Sequence, residues 1–344
     1  MISLDHSFSG IISSGRTLII AEVGSNHAGD QVLALESVAA AREAGADAVK
    51  FQLFRPETLV DAKFPVLKYI QGSERTQRDR FRITALSPDL VARLAEAAAQ
   101  QGLMFLATPF DLEAVDILDP LQSAFKIASG DLTNHPLIER VVAKGKPVMM
   151  STGLSSLAEV EAAASLIPHD LFYPLHCVAA YPTPDEQVSL CTIPFLAEHF
   201  RRPVGYSDHT VGGLAAVAAV ALGAPIIEKH FMPRADVYVA DKALSLGVAE
   251  FRVMVDEIRR VEKMRGAFAK AVQPDEAYFQ TALRRSYYAK IDLPAGQPLR
   301  EEWLIALRPW SSEAACPSAP EEVIGRRLLR PVAAGNVIMR ADLS

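Results

Sequence analysis

The sequence predicts an α/β fold, a (β/α)8 barrel followed by a small β-rich domain. Three observations predict it. Short β-rich runs alternate with longer helical patterns over the first 265 or so residues. Eight such runs occur, and no glycine-rich dinucleotide fingerprint marks the main alternative, an open doubly wound sheet. After about residue 273 the rhythm stops, and six prolines fall between 294 and 331.

The strand candidates are 18–23, 48–52, 104–108, 124–128, 147–151, 172–177, 204–207 and 225–229. Several are near-continuously apolar, as expected of parallel strands buried on both faces. Helical patterns separate them. Val32, Leu35, Val38 and Ala39 keep helix spacing, as do Leu90, Val91, Leu94 and Ala98. Ser87-Pro88-Asp89 supplies an N-cap, a first-turn proline and an acid; Gly102 can end that helix. Ser156 with Glu159 forms a capping box. An irregular insertion, 55–86, interrupts the pattern, with the polar run QGSERTQRDR read as a lid or a solvated loop. The expected organisation is a barrel over 1–275, a linker at 276–283 and a small domain at 284–344. The tail carries a weak repeat: Ala295-Gly296-Gln297-Pro298-Leu299 matches Ala334-Gly335-Asn336-Val337-Ile338. Each copy follows a paired arginine, Arg284-Arg285 or Arg326-Arg327.

Bulk composition narrows the function. Half of the 344 residues are hydrophobic, enough for a large core. A net charge of -6 argues against a surface that coats nucleic acid. The three cysteines, Cys177, Cys191 and Cys316, are odd in number and lack paired spacing, which fits a reducing cytoplasm. The start does not read as a signal peptide. The longest apolar stretch, 214–227, is broken by Gly223 and Pro225 and is too short to span a membrane.

Barrel enzymes place their chemistry at the C-terminal ends of the strands. Here those ends offer Glu22; Lys50 and Gln52; Thr108 and Asp111; Lys126, Ser129 and Asp131; Ser151; His176 and Tyr181; Ser207 and His209; Glu228 and His230. Two lysines with several hydroxyls suit a phosphate and a carboxylate. His209 and His230, on adjacent strand ends, can share a metal while leaving positions open for water or substrate. His27, His135 and His176 read more simply as structural histidines, and Lys50 or Lys126 alone would be only a rim ion pair.

Longer motifs add a resemblance. The runs AEVGSNHAGD from Ala21, KFQ from Lys50, ATPFD from Ala107, FKIASGDLTNHPLI from Phe125, STG from Ser151, LHC from Leu175, YPTP from Tyr181, GYSDHT from Gly205 and EKHF from Glu228 resemble the sialic acid synthase family. That family includes N-acetylneuraminate, legionaminic, pseudaminic and spore coat polysaccharide synthases. The tail resembles its antifreeze-like (SAF) domain. The resemblance implies a transferase that condenses phosphoenolpyruvate with an open-chain N-acetylated hexose. It implies Mn2+ or Mg2+ on His209 and His230, and phosphoenolpyruvate contacts at Lys50, Thr108, Lys126, Ser129, Ser151 and Ser207. It implies sugar contacts at Gln52, Asp131, Tyr181 and Asp241, and Glu22 as the acid that manages a water or proton. Arg308 resembles an arginine inserted into a neighbouring subunit's site, which implies a domain-swapped homodimer. Val178-Ala179-Ala180 departs from the asparagine-bearing stretch of the family, and residues 71–82 lack the asparagine pattern expected near the N-acetyl group. Two other readings stay open: a pyruvate lyase forming a Schiff base on Lys126, and a non-catalytic scaffold for polysaccharide assembly.

Overall fold

The computed structural model describes residues 8–66, 76–234, 236–237 and 239–344. The chain divides into two compact units, 1–266 and 267–344.

The first unit contains eight parallel strands: β1 (Leu18–Gly24), β2 (Ala48–Leu53), β3 (Met104–Pro109), β4 (Phe125–Ile127), β5 (Val148–Ser151), β6 (Phe172–Cys177), β7 (Gly205–Asp208) and β8 (Ile226–His230). Their order, β3-β2-β1-β8-β7-β6-β5-β4, runs round a nearly closed barrel, with β3 and β4 side by side at the seam. Every residue of β1, β3, β5, β7 and β8 is buried, which explains the apolar runs that begin β1, β3 and β5. The helix starts are built as the sequence implies. Ser87 Oγ accepts from Leu90 N at 3.2 Å, and Ser156 and Glu159 close a reciprocal capping box.

Alternation along each strand divides the core in two. One face packs on the helices, as with Ile19, Ala21 and Val23 of β1. The other fills the barrel with Leu18, Ile20, Ala48, Met104, Leu106, Ala124, Met149, Leu175 and Ile226. Phe8 and Ile11, from the helix Phe8–Ser13, join this inner cluster at the strand starts, and Phe8 meets Tyr173 edge-on at 4.8 Å. Gly205 is needed inside: a Cβ there would lie 2.3 Å from Leu175 Cδ2 and 2.8 Å from Ile226 Cβ.

Among the described residues, the insertion after β2 contains two helices, Pro56–Leu59 and Gln77–Thr84. Residues 71–75 of the expected lid lie outside the described residues. Among the described residues, no helix is long and apolar enough to cross a membrane.

The second unit has its own small core, including Ala289, Leu293, Leu304, Leu328, Val332 and Ile338. Two strands, β9 (Ser286–Ala289) and β10 (Leu304–Leu307), pair antiparallel. Gly296 and Gly335, in the two repeat copies, share φ values of 80° and 82°. Each copy leads into a 3-10 turn, Glu301–Trp303 or Arg340–Asp342. The unit division falls after Gly266, where the helix Val248–Arg265 ends, rather than at 275. Residues 276–283, read from sequence as a linker, form the helix Glu276–Leu283. None of its residues is buried, and Tyr278, Phe279 and Leu283 are exposed.

Candidate active site

The inner face of the barrel changes character along its length. Ile20 is followed two residues later by Glu22, Ala48 by Lys50, Leu106 by Thr108, Ala124 by Lys126, Met149 by Ser151 and Ile226 by Glu228. Because side chains alternate with period two, each polar residue faces inward one layer above an apolar one. The upper layer lines a cavity of about 210 Å³.

Its floor is a buried lattice of alternating charge. Lys50 Nζ lies 2.8 Å from Glu22 Oε2 and 3.6 Å from Glu228 Oε2, and donates to Thr108 Oγ1 at 3.1 Å. Lys126 Nζ lies 3.7 Å from Glu228 Oε1, which also accepts from Ser207 Oγ at 3.0 Å. Gln52 Nε2 donates to Glu22 Oε1 at 3.1 Å. Burial, reinforced by the nearby Glu228 and opposed by Lys50, pushes the Glu22 carboxyl up to about 7. Burial works against charge on Lys50, but Glu22 and Glu228 outweigh it and raise the ammonium's pKa. Burial and the neighbouring Lys50 instead lower Lys126. Ser151 Oγ is buried without a hydrogen-bond partner, a donor left for something that enters the cavity.

The imidazoles stand on the same wall. The rings of His209 and His230 lie 5.4 Å apart, with Tyr181 4.3 Å from His209. His209 Nδ1 meets the Val178 carbonyl at 2.8 Å, so in the neutral ring Nδ1 donates and Nε2 keeps its lone pair. Burial, with His209 and the lysines nearby, holds His230 well below the ordinary histidine range, hence neutral. Its Nδ1 has no hydrogen-bond partner; Asp241 Oδ2 is 3.8 Å away. Among the described residues no three His, Cys, Asp or Glu side chains converge as a ready ligand cluster. Burial opposes charge on His209, but Cys177, the Val178 carbonyl and Glu228 outweigh it and raise its pKa. Once His209 is deprotonated, each ring has a nitrogen to spare, and the pair can hold a divalent cation and leave most of its positions open.

The cavity brings together Glu22, Lys50, Gln52, Thr108, Lys126 and Ser129. Ser151, Tyr181, Ser207, His209, His230 and Asp241 line it too. Asp131 is not in the lining: it ends the turn Ser129–Asp131 and accepts from Asn134 Nδ2 at 3.2 Å. Arg308 belongs to the second unit. His27 and His176 are occupied elsewhere, Nδ1 of His27 accepting from Gly29 N at 3.1 Å and Nε2 of His176 meeting Val188 O at 2.7 Å. Sequence reasoning had Gln77 and Arg80 in the run read as a lid or a solvated loop; the inserted helix brings them to the cavity lining together with Phe81 and Thr84, which were not singled out. It missed Cys177, whose Sγ lies 3.7 Å from His209 Nδ1. Cys177 was legible in principle, since it shares the inner face with Leu175. Phe81 and Thr84 carried no such signal.

Comparison with known proteins decides the family. The NeuB family matches residues 37–270, and the SAF domain matches 284–344. This chain belongs to the NeuB family. Over 298 residues, 85% of each chain, this NeuB family member is 42% identical to uncharacterized protein MJ1065 of Methanocaldococcus jannaschii. It is 36% identical to the N,N'-diacetyllegionaminic acid synthase of Legionella pneumophila, over 95% of this chain and 94% of the relative. Among solved structures it resembles the N-acetylneuraminic acid (sialic acid) synthetase of Leptospira borgpetersenii. There the TM-score is 0.70 and the identity 31%, covering 77% of this chain and 90% of that one. NeuB relatives of this kind are named as sugar-acid synthases, and the antifreeze-like reading of the tail agrees with the SAF match.

Proposed function

We propose that this protein joins phosphoenolpyruvate to an open-chain N-acetylated hexose, N-acetylmannosamine or a related amino sugar, giving a nonulosonic acid and phosphate. The observation that carries the reading is the buried floor. Two lysines and the unpartnered Ser151 hydroxyl face one small cavity beside two imidazoles. A phosphorylated, carboxylated enol matches that donor set.

Lys50, Lys126 and the hydroxyls of Thr108, Ser129, Ser151 and Ser207 would hold the phosphate and carboxylate. The floor's two lysines and two glutamates balance in charge, so an anion entering alone would unbalance it. A divalent ion, Mn2+ or Mg2+, held by His209 and His230 would offset that charge and supply Lewis-acid polarisation of the sugar aldehyde. Gln52, Tyr181 and Asp241 would orient the acceptor, with Asp131 near the mouth. Arg308 of a second copy in a swapped homodimer would complete the sugar's enclosure. With the reactants held as neighbours, C3 of the enol bonds to the aldehyde carbon. Water adds at C2, and the C2–oxygen bond to phosphate breaks. Glu22, its carboxyl pushed up to about 7, is suited to take the water's proton near neutral pH. Three free cysteines fit work in a reducing cytoplasm.

The test is phosphate release from phosphoenolpyruvate against a panel of hexoses and N-acetyl hexosamines, with and without Mn2+. Release that needs both an amino sugar and the metal is expected; release without any sugar, or none with every sugar, would overturn the reading. One observation favours a second reading: burial lowers the Lys126 ammonium's pKa, which suits a Schiff-base lysine. Borohydride trapping with pyruvate separates the two, because only a lyase becomes covalently labelled.

A further inference from the structure

Behind the two imidazoles lies a buried ion pair with no task in the proposed reaction. Asp208 and Lys229 immediately precede His209 and His230, and they face each other in the β7–β8 register. They are 1% and 0% exposed. Strand alternation turns them away from the cavity just as it turns the histidines toward it.

The contacts of the pair converge on the residues flanking His209. Lys229 Nζ donates to Asp208 Oδ2 at 3.1 Å and to the Thr210 carbonyl at 2.5 Å. Asp208 Oδ1 accepts from Thr210 N at 2.8 Å and from Tyr206 Oη at 3.2 Å. One ammonium, beside His230, thus grips the residue before His209 and the residue after it. That grip falls where it is needed. The β7 ladder ends at Asp208, so strand pairing does not set the backbone direction of His209. His230 is still in its ladder, paired with Glu22.

Stability alone is a poor reason for this arrangement. Two well-packed apolar residues often serve a folded core as well as a buried ion pair, or better. What an apolar pair cannot do is fix direction, because dispersion contacts have none. We infer that Asp208 and Lys229 are positioning residues, stapling the two histidine-bearing strand ends so that His209 and His230 stay at a separation suited to one divalent cation. The inference rests on the two-histidine metal reading above.

The experiment is calorimetric titration of the full chain with Mn2+, without substrate, beside thermal unfolding. It compares the wild type with Asp208→Asn and with the double replacement Asp208→Leu/Lys229→Met. The double variant is expected to unfold cooperatively near the wild-type temperature yet bind Mn2+ roughly ten- to a hundredfold more weakly. The KM for phosphoenolpyruvate should stay near wild type while kcat at fixed Mn2+ falls. A folded double variant with wild-type Mn2+ affinity overturns the inference. If that variant does not fold, Asp208→Asn decides, since it removes the charge and keeps an acceptor for Tyr206 and Thr210: weakened binding supports the staple, unchanged binding refutes it. If the wild type binds no Mn2+, the metal reading falls by itself. Crystal structures then judge the staple, and a variant that keeps the 5.4 Å ring separation refutes it.

Discussion

The two ends of the barrel solve opposite problems with the same strands. At the strand starts the interior is apolar and stoppered by Phe8 and Ile11. The charges outside that end are answered: Asp47 takes Arg16 at 3.1 Å, Arg259 at 2.6 Å and the amide of Ile19 at 3.0 Å, and Glu262 takes Arg259 and the Thr17 amide. At the strand ends the interior is equally buried but polar. Ser151 Oγ and His230 Nδ1 have no hydrogen-bond partner, and Glu22 and Glu228 share Lys50. Leaving buried polar groups unmatched costs stability, and a fold tolerates that cost where a ligand will complete the set. One end is built for stability and the other for chemistry.

The sharpest way to break this contrast is to truncate the imidazoles. His209→Ala or His230→Ala should cost about a hundredfold to a thousandfold in metal-dependent rate, as loss of a transition-state contact does. The unfolding temperature should barely move; a large fall would mean that the histidines serve the fold. The next effect tests whether every buried rim histidine serves chemistry. Burial holds His27 down to about 4, against 6.5 ordinarily, with Asp30 opposing. The unfolded chain then binds the proton more readily, so stability is complete above about pH 6.5 and falls as pH drops toward 4. A shift of that size corresponds to about 3 kcal/mol at most. His27→Asn keeps an acceptor for the Gly29 amide and should flatten that part of the stability profile; an unchanged slope would remove His27 as its source. Smallest in effect is the stopper. Ile11→Ala should lower stability by about 2 kcal/mol, measured by denaturant unfolding, with kcat unchanged in the folded protein. An equal loss of activity would mean that the two ends are coupled.

Much of this was legible in the sequence, for a physical reason. Strands buried on both faces open with apolar residues, so their starts show, and β1, β2, β3 and β6 begin at the residue the pattern implies. Once strand ends are known, the inward polar residues follow from alternation, which is how Glu22, Lys50, Lys126 and His230 could be grouped. The helix Gln77–Thr84 was only half legible: its first residues fall in a run that reads as a lid or a solvated loop, with no choice between the two. Its mean character is polar, and where a charged surface helix comes to rest is a tertiary fact. Asp131 was grouped by its place after β4, but the 3-10 turn carries it toward Asn134. The Lys229 staple was equally hidden, because a lysine inside an apolar strand reads as a rim charge until its 0% exposure is known.

The stopper has a consequence for traffic. A barrel plugged at one end is a blind-ended well, and everything that enters leaves by the same mouth. The lysines lie at the bottom, two residues above the apolar layer, whereas Tyr181 and Asp241 come from the loops after the strands. A compound held by the lysines must therefore arrive before one held by the loops, and what forms at the bottom leaves last.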